Sequence, residues 1–248
     1  MRDKKHGLVM MLLFTLTLAV TPPLSQVIDL NASVGHVSGI LVTVVTDSAG
    51  HRGFLLTLAG LTLLSLNLNM SRRDLVIRFT QLAVILVIGF LSKSGLKQLT
   101  ESPRPYTEHI AQQQVIPSAE QFYQLDVAEQ AQVIGHVSDQ VSNWRTRHWQ
   151  GEKDYSFPSG HTIFAAICVA FFAGLFFQQR RFYLACMVVI WAASVAYTRI
   201  WIGMHRPEDL FASAAYVTLL YMVIPTFPRL ANQALRLAPA RVRAYLDQ

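Results

Sequence analysis

Asp154-Tyr-Ser-Phe-Pro-Ser-Gly-His-Thr162 leads into an apolar run that continues to Phe177. Pro-Ser-Gly ahead of such a run predicts a helix N-terminus, with Ser159 as the N-cap. Behind it, residues 161–179 contain no Asp, Glu, Lys or Arg. That length approaches the roughly 20 apolar residues a membrane-crossing helix requires. The stretch therefore predicts two things at once: a helix that crosses a bilayer, and an end that offers unpaired N–H groups and a positive dipole to an anion. His161 adds a titratable proton at the same end.

The same pattern recurs outward in both directions. Residues 8–28, 53–71, 79–92, 182–198 and 210–228 are also free of charged side chains. The block 79–92 is short and reaches spanning length if the charged residues flanking it snorkel. Only 15% of the 248 residues are charged, well below the roughly 25% of soluble domains. Six such blocks leave almost no polar helix faces, which argues against a soluble helical bundle. The expected fold is an all-α integral membrane protein of one domain over residues 1–248. It has six transmembrane helices and a partly helical segment, about 98–157, between helices three and four. The first block follows Arg2, Lys4 and Lys5 but lacks a small-x-small cleavage site, so an uncleaved helix is expected rather than a signal peptide. Cys168 and Cys186 both fall in apolar blocks and read as buried small hydrophobes rather than a disulfide.

Basic residues set the orientation. Arg2, Lys4 and Lys5 precede the first block, Arg72 and Arg73 follow the second, and Arg180 and Arg181 follow the fourth. Arg229, Arg236, Arg241 and Arg243 lie in the tail, about 229–248. These clusters alternate with the spans and predict cytoplasmic termini. The net charge of +6 is then a topological signal, and no nucleic-acid partner is expected. The outer side holds residues 29–52, the long segment 98–157, and a short turn around 200–208. In the long segment, Ser118-Ala-Glu-Gln121 has the form of a capping box. Val137, Val141 and Trp144 recur at helical spacing, which reads as an amphipathic helix packed on the outer loops or as a lid at the interface.

Three polar groups then fall on one side. Lys97 ends the third helix, and Pro103-Arg104-Pro105 follows with Arg104 stiffened on both flanks. Pro158-Ser159-Gly160-His161 is the second group. Thr198-Arg199 ends the fifth helix, His205 follows, and Pro207 suits the first position of the sixth, with Asp209 in its first turn. Lys97, Arg104 and Arg199, with the Ser159 hydroxyl and the Gly160 and His161 amides, form a phosphate cradle. Such a cradle also stabilises a phosphoryl-transfer transition state. Two histidines suit a two-step reaction. His205, with Asp209 four residues on to orient it, is the expected nucleophile, and His161 the general acid. No acidic cluster and no Cys/His spacing suits a metal, so neither metal nor cofactor is expected. A phosphotransferase would share these residues, and a transporter or binder of anionic lipid headgroups would share the cations. The oriented imidazole favours an enzyme, since binding alone does not need it.

These residues resemble the three signature motifs of the type-2 phosphatidic acid phosphatase superfamily: Lys-x6-Arg-Pro, Pro-Ser-Gly-His and Ser-Arg-x5-His-x3-Asp. Thr198 replaces the usual Ser and keeps a hydroxyl. The likeness to the bacterial phosphatidylglycerophosphatase B type is closer still. That likeness includes Ile116-Pro, Gln121-Phe-Tyr-Gln-Leu125, Arg147-His-Trp-Gln150 and Gly203-Met-His205. The resemblance implies a six-helix inner-membrane phosphatase whose site faces the periplasm and needs no metal. It implies a phosphohistidine on His205, oriented by Asp209, with acid catalysis by His161. It implies phosphatidylglycerophosphate as substrate, with phosphatidic acid, lysophosphatidic acid, diacylglycerol pyrophosphate and undecaprenyl pyrophosphate also accepted.

Overall fold

The computed structural model describes residues 4–237, and among these the chain is helical with no strand. Arg2, Arg241 and Arg243 lie outside the described residues, as does the side chain of Arg236. The helices are α1 (Lys5–Leu18), α2 (Thr21–Val27), α3 (His36–Ala49), α4 (Phe54–Ser65), α5 (Arg72–Thr100) and α6 (Pro105–Gln112). After a short 3-10 turn (Glu120–Gln124) come α7 (Val127–His136), α8 (Asn143–Gly151), α9 (Gly160–Cys168) and α10 (Gly174–Gln178). The last are α11 (Phe182–Trp201), α12 (Pro207–Val223) and α13 (Pro228–Leu237). A π-helical turn, Val169–Ala173, joins α9 to α10, so the run read from the sequence is one continuous helical rod.

Four segments are long and apolar enough to cross a membrane: Lys5–Val27, Arg72–Gln112, Gly160–Gln178 and Phe182–Trp201. The other two expected spans are shorter. The block 53–71 yields only the 12 residues of α4, about 18 Å at 1.5 Å per residue, because the helix stops at Ser65. The block 210–228 yields α12, 17 residues long. Leu12, Leu16, Leu55, Leu56, Leu91, Ile190 and Val223 all point outward, bands of apolar surface that a water-soluble monomer rarely shows.

The rod from Gly160 to Gln178 is the centre of the molecule. Its residues from Thr162 to Phe176 are all buried, and α1, α5, α11 and α12 pack round it. Small residues allow the closest crossing. A Cβ on Gly174 would stand 2.6 Å from the Gly7 Cα and 2.8 Å from its amide nitrogen. Backbone lies on both sides, so no rotamer can relieve the clash. Gly174→Ala should therefore force α1 off the rod at a cost of about 1–3 kcal/mol, read as a lower midpoint of thermal unfolding in detergent; an unchanged midpoint would contradict the close crossing.

The segment 98–157 is partly helical, as expected, but its internal breaks differ. Ser118 does not start an α-helix. The capping box is Asp126 with Glu129, which starts α7. Val137, Val141 and Trp144 do not share a helix either, because α7 ends at His136 and α8 begins at Asn143 behind its own cap, Ser142. Instead Val137 and Val141 are buried in a second core with Tyr106, Phe122, Trp149, Ile202 and Met204. Tyr106 stacks on Trp149 at 5.0 Å, and the Trp149 indole N–H donates to the Ile202 carbonyl at 2.8 Å. Arg145 donates to the carbonyls of Leu30 and Ala32 at 2.8 and 3.0 Å and lies over the Trp201 ring. This core therefore clamps α8 to the turn between α11 and α12.

Residues 29–52 read as a connection, yet α3 forms there and packs on α11, α9 and α8. Cys168 is buried as expected, whereas Cys186 is exposed on α11; both are free thiols.

Candidate active site

The three polar groups converge at the head of the rod. Ser159 caps α9, accepting from the Thr162 amide at 3.4 Å and its hydroxyl at 2.9 Å. Pro207 occupies the first turn of α12, which places Asp209 there with His205 just ahead. Lys97 and Arg199 sit in the last turns of α5 and α11. Arg104 stands immediately before Pro105, the first residue of α6.

A cavity of about 520 Å³ opens here. Lys93, Lys97, Glu152, Gly160, His161 and His205 contribute to its wall, with Phe54 and Phe90 on the apolar side. His205 is 2% exposed. Its Nδ1 lies 3.1 Å from Asp209 Oδ2, and its Nε2 lies 3.4 Å from an Arg104 guanidinium nitrogen. A carboxylate accepts and a guanidinium donates, so these partners assign the neutral Nδ1–H tautomer, with the Nε2 lone pair accepting from Arg104. Burial, then the fields of Arg104, Arg199 and Lys97, hold the imidazole well below the usual histidine range.

The cations are present but not free. Arg199 donates to both oxygens of Glu152, at 2.8 and 2.9 Å. Arg104 reaches Glu152 at 3.4 Å and Asp154 at 2.5 Å. Lys97 pairs with Asp154 at 3.1 Å and also donates to the Tyr155 carbonyl. The His161 Nε2 is 3.9 Å from Glu152. Burial would raise the Glu152 carboxyl, but Arg199 and the neighbouring cations outweigh it and hold it well below the usual carboxylate range. Asp154 is held low by Arg104 and Lys97 against the same opposing burial. A carboxylate thus lies where the cations converge. The Arg199 Nε is buried without a hydrogen-bond partner.

Two expected donors are placed otherwise. The Ser159 hydroxyl is fully buried and turned towards Thr162. Thr198 donates back to the Val195 carbonyl within its own helix at 2.7 Å. Sequence reasoning missed Glu152, Asp154 and Ser156 altogether. It also missed Thr46, which accepts from Arg199 at 2.9 Å, and Gly50. A Cβ on Gly50 would lie 2.7 Å from the His161 Nε2, so only glycine lets the end of α3 approach this ring.

The sequence profile of the PAP2 superfamily matches residues 78–232, a range that includes all three motifs. Phosphatidylglycerophosphatase B of Escherichia coli (strain K12) is 33% identical over 135 residues, 53% of this chain and 53% of that protein. Phosphatidylglycerophosphatase B of Haemophilus influenzae is 33% identical over 144 residues, 55% of this chain and 59% of that protein. The matched region thus spans little more than half the length of either relative. With the family profile covering more than half of its length and every motif falling inside that match, the chain belongs to the PAP2 superfamily.

Proposed function

We propose that this chain is a membrane lipid phosphatase that removes the terminal phosphate of phosphatidylglycerophosphate, undecaprenyl pyrophosphate or both, through a phosphohistidine. Phosphatidic acid, lysophosphatidic acid and diacylglycerol pyrophosphate belong to the same substrate class. The observation that carries the reading is His205, whose Nδ1 is held by Asp209 and which lines one cavity with Lys97 and His161. Membership of the superfamily and the names of the two relatives support the reaction class.

In the first step the His205 Nε2 lone pair attacks phosphorus, and the P–O bond to the leaving group breaks. His161 gives its proton to that oxygen, so the leaving oxygen departs protonated rather than as a free anion. In the second step His161 takes a proton from water as the water oxygen attacks the phosphohistidine. The P–N bond breaks, and neutral His205 and inorganic phosphate result. Lys97, Arg104 and Arg199 neutralise the transferring phosphoryl group, and the Gly160 and His161 amides at the head of α9 add donors.

The membrane arrangement that fits this reading has six spans over a single domain, with α4 and α12 completing the four long segments. The described basic residues support it. Lys4 donates to the Met222 and Ile224 carbonyls at the far end of α12, and Arg73 donates to Asn232 on α13, both at the end remote from the site. With the positive-inside rule that end is cytoplasmic, and the site and residues 98–157 face the periplasm of a bacterial inner membrane.

The first test is inorganic phosphate release by the purified chain in EDTA, with phosphatidylglycerophosphate and undecaprenyl pyrophosphate side by side. Release from either is expected, and its absence in folded protein would favour headgroup binding or transfer to another lipid. The pH profile should be bell-shaped. Because burial and then three cations depress His205 in the free protein, the acid limb of kcat/KM should lie below the ordinary histidine value of about 6.5. Bound phosphate offsets those cations, which raises the imidazole, so the acid limb of kcat should lie at higher pH than that of kcat/KM. Coincident limbs would contradict this assignment.

A further inference from the structure

One buried polar group beside this pair has no role in the steps above. Ser156 is fully buried, in the loop between α8 and α9. Its amide donates to the Ser102 carbonyl at 2.8 Å, which ties this loop to the chain just beyond α5. Its hydroxyl donates to Asp209 Oδ2 at 2.5 Å. The same hydroxyl oxygen is 3.3 Å from the His205 Nδ1 and 3.4 Å from the Met204 carbonyl. A hydroxyl has one proton, and its shortest contact is to the carboxylate, so its lone pairs are left facing the imidazole N–H. The Arg206 amide completes the set at 3.1 Å from Asp209 Oδ2. Three donors, from three points on the chain, thus meet on one carboxylate oxygen. Of these, only Ser156 comes from outside the segment that carries His205 and Asp209.

We propose that Ser156 is a positioning residue for the histidine–aspartate pair: its hydroxyl fixes the Asp209 carboxylate and shares its charge, so that His205 keeps its Nδ1–H tautomer with Nε2 at the cavity. The inference rests on the reading of His205 as the nucleophile. Without the hydroxyl the carboxylate loses a restraint on its rotation, and its productive geometry is held for less of the time. Its charge also falls more fully on the imidazole. A nearby anion favours the protonated ring, so the acid limb of kcat/KM moves to higher pH. The other groups facing His205 are Lys97 on α5, Arg104 at the head of α6, Glu152 after α8, His161 on α9 and Arg199 on α11. None of them changes in the variant.

The test uses the full chain in detergent, with whichever of the two lipids above is cleaved faster. Wild type, Ser156→Ala, Ser156→Cys and His205→Ala are compared for kcat and kcat/KM across pH, and for inhibition by inorganic phosphate. Cysteine keeps the volume of serine but is a weak donor. In both Ser156 variants kcat should fall about tenfold to a hundredfold and the acid limb should move up, while the inhibition constant for phosphate stays within about twofold, because the cradle is intact. Wild-type kcat with an unmoved acid limb would overturn the proposal. If Ser156→Ala does not fold, Ser156→Cys decides. Parallel loss of phosphate affinity would also overturn it, by placing Ser156 in the cradle or the scaffold. Turnover surviving in His205→Ala would instead refute the nucleophile assignment itself.

Discussion

Replacing His205 with alanine should lower phosphate release by about 10⁴-fold or more, while inorganic phosphate still binds. The expectation follows from how the two functions divide. Attack on phosphorus needs the Nε2 lone pair, and no other nucleophile replaces it. In the proposed reading binding rests on Lys97, Arg104 and Arg199, none of which depends on the imidazole for its main partners. Asp209→Asn should cost on the order of 10³- to 10⁴-fold. An amide in that place can present N–H to the ring and favour the wrong tautomer, leaving Nε2 protonated. Both losses should appear in kcat rather than in phosphate affinity. Phosphate-release kinetics and equilibrium phosphate binding on the same preparations check this, and activity retained in either variant would contradict it.

Glu152→Gln should have the opposite sign in KM. In the structure the Glu152 carboxylate holds Arg199 through two bonds and also reaches Arg104. Under the proposed function it therefore occupies the position that a substrate phosphate would take. Its side chain is a quarter exposed, and its carboxyl is held far below the usual range, so it stays charged across the working pH. A substrate must displace this anion, and its apparent affinity is reduced by the fraction of molecules in which the cradle is open. Glutamine has nearly the same shape but no charge, and bonds to a neutral acceptor are roughly half as strong. KM and the inhibition constant for phosphate should both fall by about tenfold, with kcat changed far less. Steady-state kinetics with added phosphate provide the check. Unchanged KM and unchanged phosphate inhibition would mean that Glu152 leaves the cradle at no cost, or that substrate binds elsewhere.

These two residues also mark what could and could not be read from the sequence. His205, Asp209 and the Pro207 start of α12 were legible because helix-end chemistry is local: a proline, a capping group and a spacing of four residues place the pair without knowledge of the rest. The Ser159 cap and the uncharged rod behind it were legible for the same reason. Glu152 was not, because a carboxylate in a loop has no local pattern that says which cations it meets. Its partners come from α11 and from the head of α6, 47 and 48 residues away. The helix α3 was missed because the uncharged stretch 30–46 that holds most of it opens with Asn31, Ser33, Gly35 and Ser38 and so reads as a loop between the first two spans. Its contribution, Thr46 to Arg199 and Gly50 to His161, exists only once three helices have converged. Two of the six expected spans fall on helices shorter than their uncharged blocks: α4 ends at Ser65, six residues before its block does, and α12 ends at Val223, five residues before its own.

The most direct test of the central claim is to trap the phosphoenzyme. The full chain is mixed with substrate labelled with ³²P in its terminal phosphate, quenched in alkali within the first turnover, digested and mapped. The account predicts label on the peptide containing His205, stable in alkali, labile in acid and absent from His205→Ala. Turnover that proceeds at the wild-type rate with no labelled intermediate, or with label on another residue, would contradict it.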